Sequence, residues 1–139
     1  MIATNPNDIL RFLAERHAES IETVMVTLVG IEGGSSRGIG AQMAVAADGR
    51  RVGSFSGGCV EDAVAAEALE ALREGWGRGV RYGVGSPYMD IRLPCGGGID
   101  LLFTPRPDAE VVATTLERLD RREAVGLVLG CDSVAPLSE

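Results

Sequence analysis

The sequence predicts an α/β fold of mixed α+β type: one mixed sheet flanked by about three helices, with glycine-rich loops at strand ends. Three observations predict it. Short β-branched runs alternate with two helical periodicities and an N-terminal helix. The order of elements is helix, three strands, helix, several strands, helix, strand, which is not a regular βαβ series. Glycine makes up 19 of 139 residues, about twice the ~7% of average usage. Nine of the glycines lie between Gly30 and Gly58 and eight between Gly75 and Gly98, so the excess belongs to two loop-rich regions separated by a helix.

Asn5-Pro6 reads as an N-cap and first helical residue, with Ile9, Leu10, Leu13 and Ile21 on one side of a short amphipathic helix. Thr23 to Ile31 is a β-branched run expected to be buried on both faces and central in the sheet. Ala41 to Ala47 and Arg51 to Ser56 pair across Asp48-Gly49 as a hairpin. Val60 to Glu74 is an alanine-rich helix with Val60, Val64, Ala68 and Leu72 on one stripe and Gly75 as its stop. Arg78 to Tyr82 reads as a short strand and Gly83 to Pro87 as a loop. Tyr88 to Leu93 alternates polar and apolar residues before a Pro94 to Gly98 turn, and Ile99 to Thr104 returns as a strand. Asp108 to Arg121 forms another outer helix and Ala124 to Cys131 a last apolar strand, while Val134 to Glu139 shows no periodic signal.

Length and a 45% hydrophobic composition fit one domain over residues 1–139. The net charge of −7, with no cluster of Lys and Arg, speaks against nucleic acid as a partner. No apolar run approaches the ~20 residues that span a bilayer, and no secretory leader pattern is present, so no membrane association and a cytoplasmic location are expected. Three widely spaced cysteines without a Cys-x-x-Cys pair point to reduced thiols rather than disulfides or structural zinc. A single histidine, His17, excludes a His-rich metal site.

Three loops carry the candidate chemistry. Ser56-Gly57-Gly58-Cys59-Val60-Glu61 joins a strand end to a helix start, where Gly57 and Gly58 let backbone N–H groups approach an anion. Cys59 sits at or beside the N-cap, where the helix dipole favours a thiolate and the acidic Glu61 and Asp62 oppose it. The structural alternative is that the glycines serve close packing and Cys59 is a small buried hydrophobe. In Pro94-Cys95-Gly96-Gly97-Gly98 three consecutive glycines imply a close approach, either by a ligand or by another glycine loop of the same domain or of a second subunit. Gly33 to Gly40 adds Ser35, Ser36 and Arg37 to a glycine loop suited to phosphate or carboxylate, although it matches neither the P-loop nor the dinucleotide pattern. Asp90 and Asp100 flank the second cysteine loop as acid/base candidates or as caps of turn N–H groups. Cys131 and His17 read as a core thiol and an edge residue.

Together, Gly33 to Arg37, Gly40-Ala41-Gln42-Met43, Ser56 to Glu61 and Leu93-Pro94-Cys95-Gly96-Gly97-Gly98-Ile99-Asp100 resemble the N-terminal domain of the XdhC/CoxI family, accessory proteins of molybdenum hydroxylases. The similarity runs from about Thr23 to Pro107. The resemblance implies that the chain binds the molybdenum cofactor (molybdopterin) as a chaperone, a carrier more than a catalyst. It also implies a cysteine desulfurase and a xanthine dehydrogenase-like molybdenum enzyme as partners. The implied cofactor-binding residues are Arg37, Ser35, Gln42, Gly57, Gly58, Cys59, Glu61, Cys95, Gly96 and Gly97. Cys59 and Cys95 are candidate molybdenum contacts, and Glu61 and Gln42 would hold the pterin or orient a loop. The family often has Ser-Ser-Pro-Arg where this chain has Gly34-Ser35-Ser36-Arg37, and its members carry a C-terminal Rossmann-like half for which these residues leave no room. Two other readings fit the same residues: a cysteine-dependent sulfur-handling enzyme, and a non-catalytic dimerisation module, a homodimer, for a missing Rossmann half.

Overall fold

The computed structural model describes residues 6–33, 38–55, 60–83, 97–121, 127–129 and 134–136. Helix α1 (Pro6–Ala18) begins with proline, whose missing N–H is not needed in a first turn, and carries Asp8 in its first turn and Arg16 and His17 in its last. It buries Ile9, Leu10 and Leu13. The helix ends in a Schellman arrangement: the Ile21 N–H donates to the Arg16 carbonyl at 2.9 Å and the Ser20 N–H to the His17 carbonyl at 3.0 Å. Ser20 takes the left-handed conformation, φ 62°, that this cap requires. Ile21, expected on the helix stripe, therefore lies beyond the helix end.

Strand β1 (Thr23–Glu32) is the middle of a five-stranded sheet with β2 (Gln42–Ala46), β3 (Arg51–Gly53), β4 (Arg78–Gly83) and β5 (Gly98–Pro105), in the order β3-β2-β1-β5-β4. Residues Thr23 to Leu28 of β1 are all buried. Val24, Val26 and Leu28 belong to a core with Met43, Val45, Leu101 and Phe103 of the sheet and Val64, Ala68 and Leu72 of helix α2 (Glu61–Glu74). Met25, facing the other way, belongs with Ala44 to a second core formed with α1 and with Val112 and Leu116 of helix α3 (Ala109–Asp120). A strand with helices on both faces has no solvent side, which explains the continuous apolar run.

The β2–β3 hairpin turns as Asp48-Gly49 predicts. The Gly49 N–H donates to the Ala46 carbonyl at 2.9 Å, the Ala46 N–H to the Arg50 carbonyl at 2.8 Å, and Gly49 has φ 95°. This is a three-residue loop with a glycine bulge. Gly75 ends α2 at φ 89°, and the Asp108 carboxylate caps α3 by accepting the Glu110 and Val111 N–H groups at 2.9 and 3.1 Å.

The α/β class and the three flanking helices are as the sequence predicts. Within the five-stranded sheet, however, every neighbouring pair is antiparallel, so the strands do not have mixed polarity. β5 is the antiparallel neighbour of both β4 and β1, so it starts at the end of the sheet where both of them stop. A separate ribbon pairs β6 (Leu127–Leu129) with β7 (Val134–Pro136), so the tail without periodic signal does contain a strand. Three residues are too few to display a period. The alternating segment Tyr88 to Leu93 lies outside the described residues. Among the described residues no helix is long and apolar enough to cross a membrane.

The end of the sheet away from the glycine loops is held by Arg106, which also has a left-handed backbone, φ 50°. Its N–H donates to the Thr23 carbonyl at 2.8 Å, and its guanidinium donates to the Leu72 carbonyl of α2 at 3.1 Å and pairs with Glu22. These contacts tie the start of β1, the end of α2 and the β5–α3 turn together. Two outcomes are expected in chemical or thermal denaturation. Ser20→Gly relieves the left-handed strain against a smaller unfolded-state entropy cost, stabilising by roughly 0.5 to 1 kcal/mol. Arg106→Ala keeps the strain and loses the side-chain contacts, costing about 1 to 2 kcal/mol.

Candidate functional site

The uniform antiparallel polarity has a direct consequence for the loops. β1 and β3 run in the same direction, as does β4, while β2 and β5 run against them. The end of β1, the start of β2, the ends of β3 and β4 and the start of β5 therefore lie at one end of the sheet. The three loop segments of interest, 34–37, 56–59 and 84–96, are joined to that same end. Residues Ser35, Arg37, Gly57, Gly58, Cys59, Asp90, Cys95, Gly96 and Cys131 lie outside the described residues, while Gln42, Glu61 and Gly97 lie within them.

At the root of the first and third segments two glycine backbones meet. Glu32 pairs with Gly98 in the β1–β5 register, and Gly33, at φ 76°, has so little space that a Cβ there would lie 3.3 Å from the Gly97 Cα. The neighbour of the triple-glycine segment on its described side is thus the first glycine loop. Gly33 meets two demands with one residue type: a positive φ and no side chain against Gly97.

The root of the second segment is closed by Glu61. Its carboxylate, in the first turn of α2 and only 5% exposed, accepts the Phe55 backbone N–H at 2.8 Å. That bond joins the two sides of segment 56–59. Arg51 of β3 reinforces it by donating to the Glu61 carbonyl at 3.2 Å and to the Asp62 carboxylate at 2.7 Å. Phe55 and Val60, one on each side of the segment, are buried in the same core as Leu28, Tyr82 and Ile99 from the neighbouring strand ends. The N-cap of α2 is Val60, with no side-chain cap, so Cys59 immediately precedes a helix N-terminus in the chain.

Gln42 is half-buried at the start of β2, and its amide donates to the Thr27 hydroxyl at 3.2 Å and to the Met25 sulfur at 3.4 Å. It braces β2 against β1. Asp100 is not placed as a proton donor: the Arg81 guanidinium holds it with two bonds, Nε to Oδ1 at 2.6 Å and Nη2 to Oδ2 at 2.9 Å. That contact holds its carboxyl below the usual aspartate range, against an opposing push from burial. Arg81 was absent from the sequence-derived candidates. Its signal is visible only once the strand register sets position 81 opposite position 100. His17, half-buried at the far end of the sheet, has an Nδ1 without a hydrogen-bond partner, and burial pushes its pKa below the ordinary histidine value against the pull of Asp108. It takes no part in the loop end. Among the described residues no group of three or more His, Cys, Asp or Glu side chains forms a metal site.

The arrangement presents glycine backbone at closely spaced loop roots, a buried carboxylate bracing one loop and a half-buried amide bracing the strand beside another. Comparison with known proteins agrees with it. Residues 17–83 match the model of the XdhC and CoxI family. The chain is 51% identical over 119 residues to the molybdenum cofactor insertion chaperone PaoD of Escherichia coli (strain K12), across 86% of this chain and 37% of that protein. It is similar to a solved structure described as a xanthine dehydrogenase from Bacillus halodurans, at 28% identity and a TM-score of 0.63, over 81% of this chain and 34% of that one. The chain therefore spans little more than a third of the length of either protein. Matched by that family model over residues 17–83 and identical to PaoD at half of the aligned positions, the chain belongs to the XdhC and CoxI family.

Proposed function

We propose that this chain is the cofactor-binding part of a molybdenum-cofactor insertion chaperone, which holds molybdopterin for delivery to a molybdenum hydroxylase of the xanthine dehydrogenase type. The observation that carries the reading is that the strand ends leading into three glycine segments lie at one end of the sheet, in a chain half identical to a chaperone of that name. Backbone N–H groups at Gly57, Gly58, Gly96 and Gly97, with Ser35 and Arg37, suit the cofactor's phosphate. Cys59 and Cys95 supply soft donors suited to a molybdenum centre. Glu61 and Gln42 act by position, because their side chains are engaged within the protein. In this reading residues 1–139 are the cofactor-binding domain, and the additional length of the relatives supplies a Rossmann-like half. A cysteine desulfurase as sulfur donor, a homodimeric state and a cytoplasmic location complete the proposal.

What the group supplies when bound is its own metal chemistry; this chain's residues bind, orient and shield it. The test is retention of molybdopterin by the purified chain, read as pterin fluorescence after oxidation. Cys59→Ala and Cys95→Ala are each expected to lower retention about tenfold. Wild-type retention in the double variant would remove the thiols from the proposal, and no uptake by the wild-type chain, alone or mixed with a C-terminal half, would sink the cofactor reading itself. Glu61→Ala takes the carboxylate from the buried Phe55 N–H; it is expected to cost about 1 to 3 kcal/mol in denaturant unfolding and to lower retention as well.

A further inference from the structure

Three residues stand in a row across the sheet on one face: Arg81 on β4, Asp100 on β5 and Gly30 on β1, linked by the pairs Arg81↔Asp100 and Gly30↔Asp100. The Asp100 carboxylate lies over Gly30 so closely that a Cβ there would come within 2.5 Å of its Oδ2. Arg81 forks around that carboxylate and reaches on to Glu32 of β1, Nη1 to Oε1 at 3.5 Å. One guanidinium thus touches the strand that enters segment 84–96, the strand that leaves it, and the strand that enters segment 34–37.

The β1–β5 register shifts between Leu28 and Gly30. The shift is a bulge at Val29, and without it Val29 would oppose Asp100. The bulge brings glycine there instead, the residue that leaves room for the carboxylate. Bulges of this kind re-aim a position beside functional sites. A glycine inside a central strand costs roughly 0.5 to 1 kcal/mol relative to alanine. The ion pair it admits is partly exposed, its side chains at 27% and 41%, and contributes little to stability. A destabilising bulge and glycine accommodate a weakly stabilising pair, so geometry is what the arrangement secures.

We infer that Arg81 is a positioning residue, which sets the spacing between the two loop roots Glu32–Gly33 and Gly97–Gly98 through Asp100 and Glu32. The inference rests on the reading of these loops as the cofactor site. Lysine does not substitute for it, because a single ammonium cannot hold both carboxylate oxygens and reach Glu32.

The experiment uses Arg81→Met, Arg81→Lys and Glu32→Gln in the full chain. Without cofactor, the rate of Cys95 alkylation by iodoacetamide is followed by peptide-mapped mass spectrometry, along with hydrogen exchange at Gly33, Gly97 and Gly98. Arg81→Met and Glu32→Gln are both expected to speed Cys95 alkylation, by about threefold to tenfold for the first and about twofold for the second, with Arg81→Lys close to Arg81→Met. Exchange at the three glycines rises while α1 and α3 keep wild-type protection. Charge alone predicts opposite signs, since losing the Arg81 cation raises the thiol pKa and losing the Glu32 anion lowers it. Opposite signs, or wild-type rates in both variants, overturn the inference. Glu32→Gln, at an exposed position, keeps the test decisive if Arg81→Met does not fold. Molybdopterin retention by the same variants is then expected to fall with the alkylation change. A wild-type chain that takes up no molybdopterin overturns the cofactor reading, and the alkylation and exchange rates still decide the role of Arg81.

Discussion

The pairing of β1 with β2 on one side and β5 on the other, both antiparallel, is the constraint from which the rest follows. Because β1 is buried on both faces, its alternation is fixed by two cores at once: Val24, Val26 and Leu28 toward α2, and Met25 toward α1 and α3. A slip of one residue would exchange the two sets and leave both cores mismatched. With β1 held in register, β2 and β5 can only start where β1 ends, and three glycine segments are delivered to one end of the sheet.

The two ends of that sheet are built differently. At the far end, local strain is held by several bonds: Ser20 in a Schellman cap, and Arg106 tied to Thr23, Leu72 and Glu22. At the loop end the elements are held mainly by single side chains that reach across them. Glu61 joins the two sides of one segment, Gln42 braces β2 on β1, and Arg81 connects three strands. Such contacts define geometry at modest cost in stability, which suits the proposed uptake and release of a ligand.

Much of this was legible in the residues. Asp48-Gly49 identified its hairpin, Gly75 and Asp108 marked helix ends, and the apolar run of β1 announced a central strand, because each depends on neighbours within a few positions. The glycine and cysteine motifs likewise named the loops and the family. The roles of Glu61 and Gln42 were only half legible: both could be marked as motif positions, but whether they face a ligand or the protein depends on what packs beside them. Arg81 and Gly30 were not legible, since their connection runs through Asp100 and through a bulge that exists only when β1 and β5 are paired.

By itself, then, the sequence determined most of the elements and the chemistry of their connecting loops, which follow from backbone preference and from periodicity over a turn or a hairpin. Tertiary structure decided the strand order, the antiparallel polarity throughout the sheet, the β6–β7 ribbon and the meeting of Gly33 with Gly97. Those depend on contacts between residues tens of positions apart, selected by burial of two cores at once rather than by any local preference.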